Sequence, residues 1–285
     1  MASKTLLRVE DHARDAAGFT YVYPVISRRA GGVSIGINLN PNNACNWRCV
    51  YCQVPDLQRG GPPPIDLDQL AGELDTMLHD VVYGDFMQRR VPEGARRLND
   101  IAFSGNGEPT MASEFTDAVE IVGQMLARFA LTGQIKVVLI TNGSQVAKPR
   151  VQQALAAMRG FGGEVWFKLD RAPKDGFSSV NQVQMSRTAV ERNLSAAAAS
   201  CPTWLQTCMF AQQGRLPDES ELSDYLAFLA KQRESGVAIQ GVLLYGLARP
   251  SMQPEAAELA PAPAEWMQAL ATRIEATGMP VRLSL

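Results

Sequence analysis

Apolar runs of strand length alternate with stretches of helical periodicity along most of the chain. The runs are rich in β-branched residues and bounded by turn residues, which is typical of buried strands. They occupy positions 33–39, 101–104, 135–141, 164–169, 203–210, 240–247 and 280–284. Strands that alternate with helices predict a parallel sheet with helical crossovers.

Apolar residues between these runs recur at helical spacing. Leu67, Leu70, Leu74 and Met77 fall on one helix face, as do Phe115, Val119, Val122, Leu126 and Phe129, and Leu222, Tyr225, Leu226 and Leu229. The spacing of Thr188 and Glu191 is that of a capping box and predicts a helix that begins at Thr188. A last helix is expected over 263–277.

Six or seven strand–helix units favour a partial (β/α)6 barrel, an α/β fold, over a flat doubly wound sheet. We expect an N-terminal extension over 1–32, the barrel over 33–250, and a helix and strand over 251–285 that close it. In such barrels, functional side chains gather at the carboxyl ends of the strands. The residues that follow each predicted strand are therefore the candidates for a site.

The 285 residues are 46% hydrophobic and 20% charged, with a formal net charge of −2. This balance argues against a broadly basic nucleic-acid surface, although the Arg28-Arg29 pair lies close to a cysteine-rich loop. The chain contains no long uncharged apolar run, and its first residues are charged, so we expect a cytoplasmic protein without a membrane span. Thiols stay reduced there, so the five cysteines are read as metal ligands, catalytic groups or buried fillers.

Three cysteines follow the first predicted strand in the pattern C-x3-C-x2-C. Cys45, Cys49 and Cys52 can reach three corners of an iron–sulfur cube and leave the fourth iron open. A structural zinc would need a fourth ligand from far away, such as Cys201, Cys208, His12 or His79. Three unrelated thiols are the remaining alternative. Trp47 and Tyr51 would shield a cluster from water.

Polar residues also follow the second and third strands. Gly105, Asn106, Gly107 and Glu108 form a turn that would expose backbone carbonyls beside a carboxylate. Read alone, Gly-Asn-Gly is an ordinary turn sequence. Asn142 follows the third strand, where a plain strand-to-helix turn is the alternative.

The fourth, fifth and sixth strands carry further polar side chains. Lys168 and Asp170 lie on one face of a strand that should be apolar on both faces, and they either pair with each other or serve a site. Gln206 on the fifth strand needs hydrogen-bond partners, and Cys208 beside it fits a buried filler. Arg249 ends the sixth strand, where it would bind an anion or form a surface salt bridge.

C-x3-C-x2-C with Tyr51 directly before Cys52 resembles the signature of the radical S-adenosylmethionine superfamily. That resemblance implies a partial barrel of the radical S-adenosylmethionine type, with a [4Fe–4S] cluster on Cys45, Cys49 and Cys52. It also implies that the open iron chelates S-adenosylmethionine, which one electron cleaves to a 5′-deoxyadenosyl radical that abstracts hydrogen from a substrate.

The other motifs extend the resemblance to cofactor contacts. Gly105 to Glu108 resembles the Gly-Gly-Glu stretch whose backbone binds the methionine ammonium, with Asn106 in place of one glycine. The run from Lys168 to Pro173 resembles a Lys-Leu-Asp-Ala motif, which implies that Lys168 meets the methionine carboxylate and Asp170 the ribose or ammonium. Asn142 is implied as a further cofactor contact, and Gln206, from its place on the fifth strand, is a candidate contact to cofactor or substrate.

The combination of motifs is most similar to the wyosine-synthase-like branch, which acts on a tRNA guanine. The mild acidity of the chain departs from what tRNA binding requires. The chain also lacks cysteines for a second cluster, unlike the multi-cluster peptide-modifying members. The substrate is left open among a small molecule, RNA and protein, with a low-potential donor such as flavodoxin or ferredoxin as the implied partner.

Two other functions stay open at this point. One is an activase of the glycyl-radical type, which would place a radical on a partner protein. The other is a non-catalytic iron–sulfur or zinc protein. No residue stands out as a proton acceptor, and the roles of Cys201, Cys208, Arg28, Arg29 and Arg249 are not assigned by the sequence.

Overall fold

An eight-stranded sheet forms the centre of the molecule, which is described by a computed structural model over residues 6–8, 17–27, 31–172 and 175–285. The strands are β1 (Val22–Ser27), β2 (Gly32–Ile37), β3 (Ala44–Cys45), β4 (Gln58–Arg59), β5 (Leu98–Phe103), β6 (Lys136–Thr141), β7 (Gly163–Lys168), β8 (Thr203–Cys208), β9 (Phe210–Gln212), β10 (Ile239–Tyr245), β11 (Leu259–Pro261) and β12 (Val281–Ser284). Arg28, Arg29 and His12 lie outside the described residues.

The sheet order is β1-β2-β5-β6-β7-β8-β10-β12. β1 runs antiparallel to β2, and the other neighbours are all parallel. The seven predicted strands are therefore confirmed, and the α/β partial barrel is confirmed as an open, curled sheet. Two small two-stranded ladders, β3 with β4 and β9 with β11, lie outside the main sheet.

Helices connect the parallel strands. They are α1 (Leu67–Val82), α2 (Phe86–Arg90), α3 (Phe115–Arg128), α4 (Pro149–Gly160), α5 (Asp175–Ser179), α6 (Arg187–Ser200), α7 (Glu219–Glu234) and α8 (Ala264–Ala276), with short 3-10 turns at Glu93–Ala95, Pro109–Met111 and Pro254–Glu258. The predicted stripes on α1, α3 and α7 face the core. In the part of the chain that the structure describes, no helix has both the length and the apolarity to cross a bilayer.

The predicted start of α6 is wrong. Its N-cap is Ser186, whose hydroxyl accepts the amide N–H of Ala189, two residues before the predicted Thr188. The capping-box spacing of Thr188 and Glu191 is coincidental, because the Glu191 carboxylate instead pairs with Arg187 and Lys231.

The N-terminal part of the chain adds β1 to the edge of the barrel sheet. The buried Glu73 carboxylate of α1 accepts the amide N–H groups of Thr20, Tyr21 and Val22. These three bonds fix the entry of β1 and bring Tyr23 over Gly36, where a Cβ atom would lie 2.1 Å from the tyrosine ring. A strand from the predicted extension thereby forms one wall of the barrel.

Candidate functional site

A cavity of about 330 Å³ opens at the carboxyl ends of the strands. Nearly all the predicted site residues line it, namely Cys45, Cys49, Cys52, Gly105, Asn106, Gly107, Glu108, Asn142, Lys168 and Gln206. Cys208 and Arg249 line it as well. Asp170 is fully enclosed behind this wall, with no exposed surface, and is not a lining residue.

The cysteine loop is held by backbone bonds along its length. Cys45 belongs to β3, which pairs with β4, and the amide N–H of Cys52 donates to the carbonyl oxygen of Cys49 at 2.9 Å. The amide N–H of Val50 donates to the carbonyl oxygen of Val180 at 2.9 Å. These bonds fix the directions from which the three thiols enter the cavity.

Two of the thiol sulfurs accept hydrogen bonds. The amide N–H of Trp47 lies 3.4 Å from Cys45 Sγ, and the Asn181 side-chain nitrogen lies 3.2 Å from Cys49 Sγ. Burial raises the pKa of Cys45 to about 11 and the pKa of Cys49 to about 12. The Cys45 and Cys49 thiols are therefore neutral at pH 7 without a metal, and metal binding would have to displace their protons.

These sulfurs suit a thiolate-bound cluster. N–H donors aimed at sulfur stabilise the deprotonated form, and three thiols with no fourth side-chain ligand in the loop match a cube with one open iron. Among the residues that the structure describes, no three His, Cys, Asp or Glu side chains are grouped to hold a single metal ion.

The glycine turn after β5 packs directly on the cysteine loop. Gly107 has no room for a side chain, because a Cβ atom there would lie 2.1 Å from the carbonyl oxygen of Ala44. Gly105 has φ +133°, and its Cβ would lie 2.5 Å from Asn38 Oδ1. The same Asn38 oxygen accepts the amide N–H of Asn106 at 3.1 Å. The turn and the loop are thus one packed unit.

The Glu108 carboxylate is buried, although Glu108 also lines the cavity. It is 2% exposed and accepts bonds from the backbone and hydroxyl of Thr110, the hydroxyl of Thr141 and the amide N–H of Asn142. Burial raises its pKa despite these four donors. The side chain joins the ends of β5 and β6, and it leaves the turn backbone to face the cavity.

Asn142 belongs to an amide chain that reaches the cysteine loop. Its side-chain nitrogen donates to Asn46 Oδ1 at 2.8 Å, and the Asn46 nitrogen donates to Ser144 Oγ at 2.8 Å. The amide N–H of Ser144 then donates to Asn142 Oδ1 at 3.0 Å. The end of β6 is locked in this way to the residue beside Cys45.

Lys168 and Asp170 lie at the end of β7 and are linked through Tyr51. Lys168 Nζ lies 2.6 Å from the Tyr51 hydroxyl, which donates to Asp170 Oδ2 at 2.6 Å, while the direct Lys168–Asp170 distance is 3.9 Å. Burial has the largest effect and lowers the pKa of Lys168, but the charges of Asp170, Tyr245, Cys49 and Cys208 together outweigh it, and this pKa lies well above its ordinary value. The charged ammonium form of Lys168 is therefore favoured at the cavity wall.

Asp170 makes three bonds inside the protein. Its carboxylate accepts the Tyr51 hydroxyl, the Asn181 side-chain N–H at 2.8 Å and the amide N–H of Cys208 at 2.9 Å. Asp170 is thus held inside the protein behind Lys168, and its implied contact with the ribose or the ammonium of the cofactor stays a prediction.

Of the remaining candidates, Gln206 is 3% exposed and faces the cavity from β8. Cys208 packs with Val50 and Tyr51, and Cys201 is buried with its thiol 3.2 Å from the carbonyl oxygen of Gly163. Arg249 donates to Gln53 Oε1 at 2.9 Å in the cysteine loop. Both cysteines thus occupy packed positions, while Arg249 lies at the cavity rim.

The segment that follows β10 crosses the outside of the cysteine loop. The Ser251 hydroxyl donates to the carbonyl oxygen of Val50 at 2.7 Å, and the amide N–H of Met252 donates to that of Cys52 at 2.9 Å. Glu255 forms a two-bond ion pair with Arg48. We call residues 249–255 the strap.

Sequence reasoning missed Asn46, Asn181 and the strap. Asn46 and Asn181 make their contacts through a side-chain amide, and the strap makes its contacts through hydrogen bonds and an ion pair. All three lie in irregular segments, where no periodic sequence pattern marks them. The excess of asparagine in the Asn42–Asn46 stretch was the one available signal, because asparagine favours turns and side-chain bonds to backbone.

Comparisons with known proteins give a partial match in sequence and a broad match in fold. No family model matches the chain. The UPF0026 protein of Helicobacter pylori is 27% identical over 133 residues, which are 46% of this chain and 37% of that protein. The chain thus spans little more than a third of the length of that relative.

Solved structures match over most of the chain. The structure of TYW1 with a lysine–pyruvate adduct bound has a TM-score of 0.56 and 13% identity, and the match covers 87% of this chain and 74% of that one. A radical SAM methyltransferase from Sphaerobacter thermophilus has a TM-score of 0.53 and 15% identity, with 89% and 66% covered. The open eight-stranded sheet of this chain therefore shares its fold with these two solved structures.

Proposed function

We propose that this chain is a radical S-adenosylmethionine enzyme. The single observation that carries the proposal is the shared cavity. Three thiols, a glycine turn and a charged lysine come from three separate segments and line one space at the carboxyl ends of the strands. A packed structural core would bury apolar side chains at this point, so polar groups around an open space indicate a binding site.

Cys45, Cys49 and Cys52 would hold a [4Fe–4S] cluster, and the backbone of Gly105 to Glu108 would bind the methionine ammonium. Lys168 would bind the methionine carboxylate, because its ammonium is charged and reaches the cavity wall. When bound, the cluster supplies one electron that cleaves S-adenosylmethionine to a 5′-deoxyadenosyl radical. Asn142 and Gln206 would contact the cofactor from the ends of β6 and β8.

The substrate and the electron donor are finer points of the same proposal. The aromatic side chains of Tyr23, Trp166 and Tyr245 also line the cavity, which suits a flat organic group beside the cofactor. A nucleoside base is the first compound class to test, given the motif resemblance. A flavodoxin or ferredoxin would supply the low-potential electron.

Anaerobic reconstitution tests the proposal directly. The loaded chain should contain about four iron and four sulfide. With dithionite and S-adenosylmethionine it should release 5′-deoxyadenosine, while the Cys45→Ala variant should release none. A chain that binds a single zinc, or a loaded chain that releases no more 5′-deoxyadenosine than Cys45→Ala, would contradict the proposal.

A deuterium experiment addresses the substrate. Candidate compounds labelled with deuterium are incubated with the loaded chain, and the released 5′-deoxyadenosine is analysed by mass spectrometry. Deuterium should appear in 5′-deoxyadenosine only with a compound from which the radical abstracts hydrogen.

A further inference from the structure

Asn181 lies between the cysteine loop and the end of β7, and no sequence motif marks it. It is fully buried, two residues beyond α5, and its backbone oxygen accepts the amide N–H of Arg48 at 3.3 Å. Its side-chain nitrogen lies 3.2 Å from Cys49 Sγ and 2.8 Å from Asp170 Oδ2. One amide group thus joins a predicted cluster ligand to the buried carboxylate behind Lys168.

The orientation of this amide is determined by its surroundings. The nitrogen has two N–H groups, and the carboxylate and the sulfur are both acceptors. Reversal of the amide would place Asn181 Oδ1 against the carboxylate oxygen of Asp170 and would lose both bonds. In the native orientation, Oδ1 has no hydrogen-bond partner among the described residues. The protein leaves one acceptor unsatisfied and keeps both donors in place.

Asp170 holds the amide in position because it is fixed itself. The Tyr51 hydroxyl donates to the same carboxylate oxygen, and the amide N–H of Cys208 donates to the other. Asn181 therefore has little freedom to rotate its N–H away from Cys49. Its bond to sulfur is enforced by the surrounding bonds.

We propose that Asn181 is a positioning residue that raises the reduction potential of the cluster through its N–H bond to Cys49 Sγ. The inference rests on the proposed function. A donor to a ligand sulfur stabilises the added negative charge of the reduced cluster, and hydrogen bonds to sulfur are one of the protein's means of setting this potential. Removal of the donor should make the cluster harder to reduce.

The test is a redox titration of the anaerobically reconstituted full chain, followed by electron paramagnetic resonance. Asn181→Leu removes both N–H donors at similar volume, and Asn181→Ser is a smaller side chain that does not reach the sulfur. At a fixed potential, the ratio of reduced to oxidised cluster should fall about tenfold in each variant, which for a one-electron couple corresponds to about 59 mV. Gln232→Leu, another buried amide on the outer helix α7, is the matched control and should leave the ratio unchanged.

Iron content separates the outcomes. A variant with full iron content and an unchanged ratio overturns the inference. If Asn181→Leu loses its iron, the ratio of reduced to oxidised cluster in Asn181→Ser decides whether the inference holds. Loss of iron from both variants also overturns the inference, because the role of Asn181 would then be structural. Failure of the proposed function looks different, since the unmodified chain would then hold no four-iron cluster.

Discussion

Gly107 shows how a single missing side chain positions the candidate site. The carbonyl oxygen of Ala44 lies 2.1 Å from the place where a Cβ atom at Gly107 would stand, and the Asn40 side chain lies 2.6 Å from it. Both neighbours belong to the segment that leads into Cys45. The backbone contact between turn and loop therefore depends on glycine, which sets the distance between the glycine turn and the first cysteine.

Gly107→Ala should displace the cysteine loop. Overpacking at this contact should lower the free energy of unfolding by about 1 to 3 kcal/mol, and reconstituted protein should retain less iron. Denaturant titration of the metal-free chain and iron analysis measure the two effects. Gly72→Ala is the matched control, since Gly72 is exposed on α1 with nothing within 4 Å of its Cβ position. Its free energy of unfolding should rise by about 0.5 to 1 kcal/mol, because alanine favours a helix over glycine. If Gly107→Ala and the unmodified chain have the same free energy of unfolding, the cysteine loop rearranges without loss of stability and the prediction is wrong.

Lys168 offers a prediction about cofactor affinity. Its ammonium stays charged at neutral pH, so Lys168→Met would remove the proposed charge-assisted bond to the methionine carboxylate and should weaken S-adenosylmethionine binding about 10- to 100-fold. Calorimetry on the reconstituted protein measures this affinity. Lys136→Met, which removes an exposed lysine paired with Glu164 at the amino end of β6, should bind the cofactor normally. Unchanged affinity in Lys168→Met with full iron content would remove Lys168 from the binding site.

At the scale of elements, the strap runs along the cysteine loop and bonds to its backbone. Ser251 and Gln253 are both buried, and the Gln253 side chain donates to the carbonyl oxygen of Val54 at 2.9 Å. An irregular loop leaves backbone carbonyls without ladder partners, and buried carbonyls require partners. The strap supplies those partners, and the Arg48–Glu255 ion pair anchors its far end.

The ion pair gives a prediction about pH. The hydrogen bond from Arg48 holds the pKa of Glu255 below its ordinary value of 4.5 in the folded chain. A lowered folded pKa means that the carboxylate stabilises the fold above pH 4.5 and loses this effect as the pH falls through the folded value. Glu255→Gln should therefore be less stable by about 1 kcal/mol at pH 7, and the difference should vanish at acid pH.

Denaturant titrations at a series of pH values measure this difference. Glu275→Gln, an exposed position on α8, is the control and should follow the unmodified chain at every pH. A deficit in Glu255→Gln that persists unchanged below the folded pKa would mean that packing, and not the ion pair, holds the strap.

The elements also show where sequence patterns succeed and fail. The seven parallel strands were predictable because each is a continuous apolar run between turn residues. β1 was missed because Pro24 interrupts its pattern, and proline is tolerated there since β1 is the edge strand of the sheet. The start of α6 was misplaced because Ser186 and Thr188 are both good N-caps, and only the bond to Ala189 distinguishes them.

Some residues of the candidate site were predictable from the sequence, and others were not. Spacing and strand position led to the cysteines, the glycine turn and Lys168, because these depend on local order and on the strand-end rule. The enclosure of Asp170 was not predictable, since its partners Tyr51, Asn181 and Cys208 come from three distant segments. Non-local hydrogen bonds leave no periodic trace in a sequence.

At the scale of the whole molecule, the cysteine loop is the point where distant parts of the open barrel meet. The Asn43 side chain accepts a hydrogen bond from the side chain of Asn106, which follows β5. The amide N–H of Val50 donates to the carbonyl oxygen of Val180 beyond α5, and the carbonyl oxygen of Cys52 accepts the amide N–H of Met252 in the strap. A complete barrel would join these regions through a continuous ring of strands. Here the order of β1 to β12 leaves the sheet open, and the loop supplies links that the sheet lacks.

Cluster loading should therefore stabilise regions far from the cysteines in sequence. A ligand that binds only the folded loop lowers the local opening of every segment bonded to it. Hydrogen–deuterium exchange should show added protection at 180–182 and 250–255 as well as at 43–54, with little change in α8, which lies beyond the strap. The control is a variant in which Cys45, Cys49 and Cys52 are all changed to Ala. Treated with the same iron and sulfide, it should show no added protection in any of these segments. Protection confined to 43–54 would mean that the loop stiffens alone, and the view of the loop as the link across the open barrel would fail.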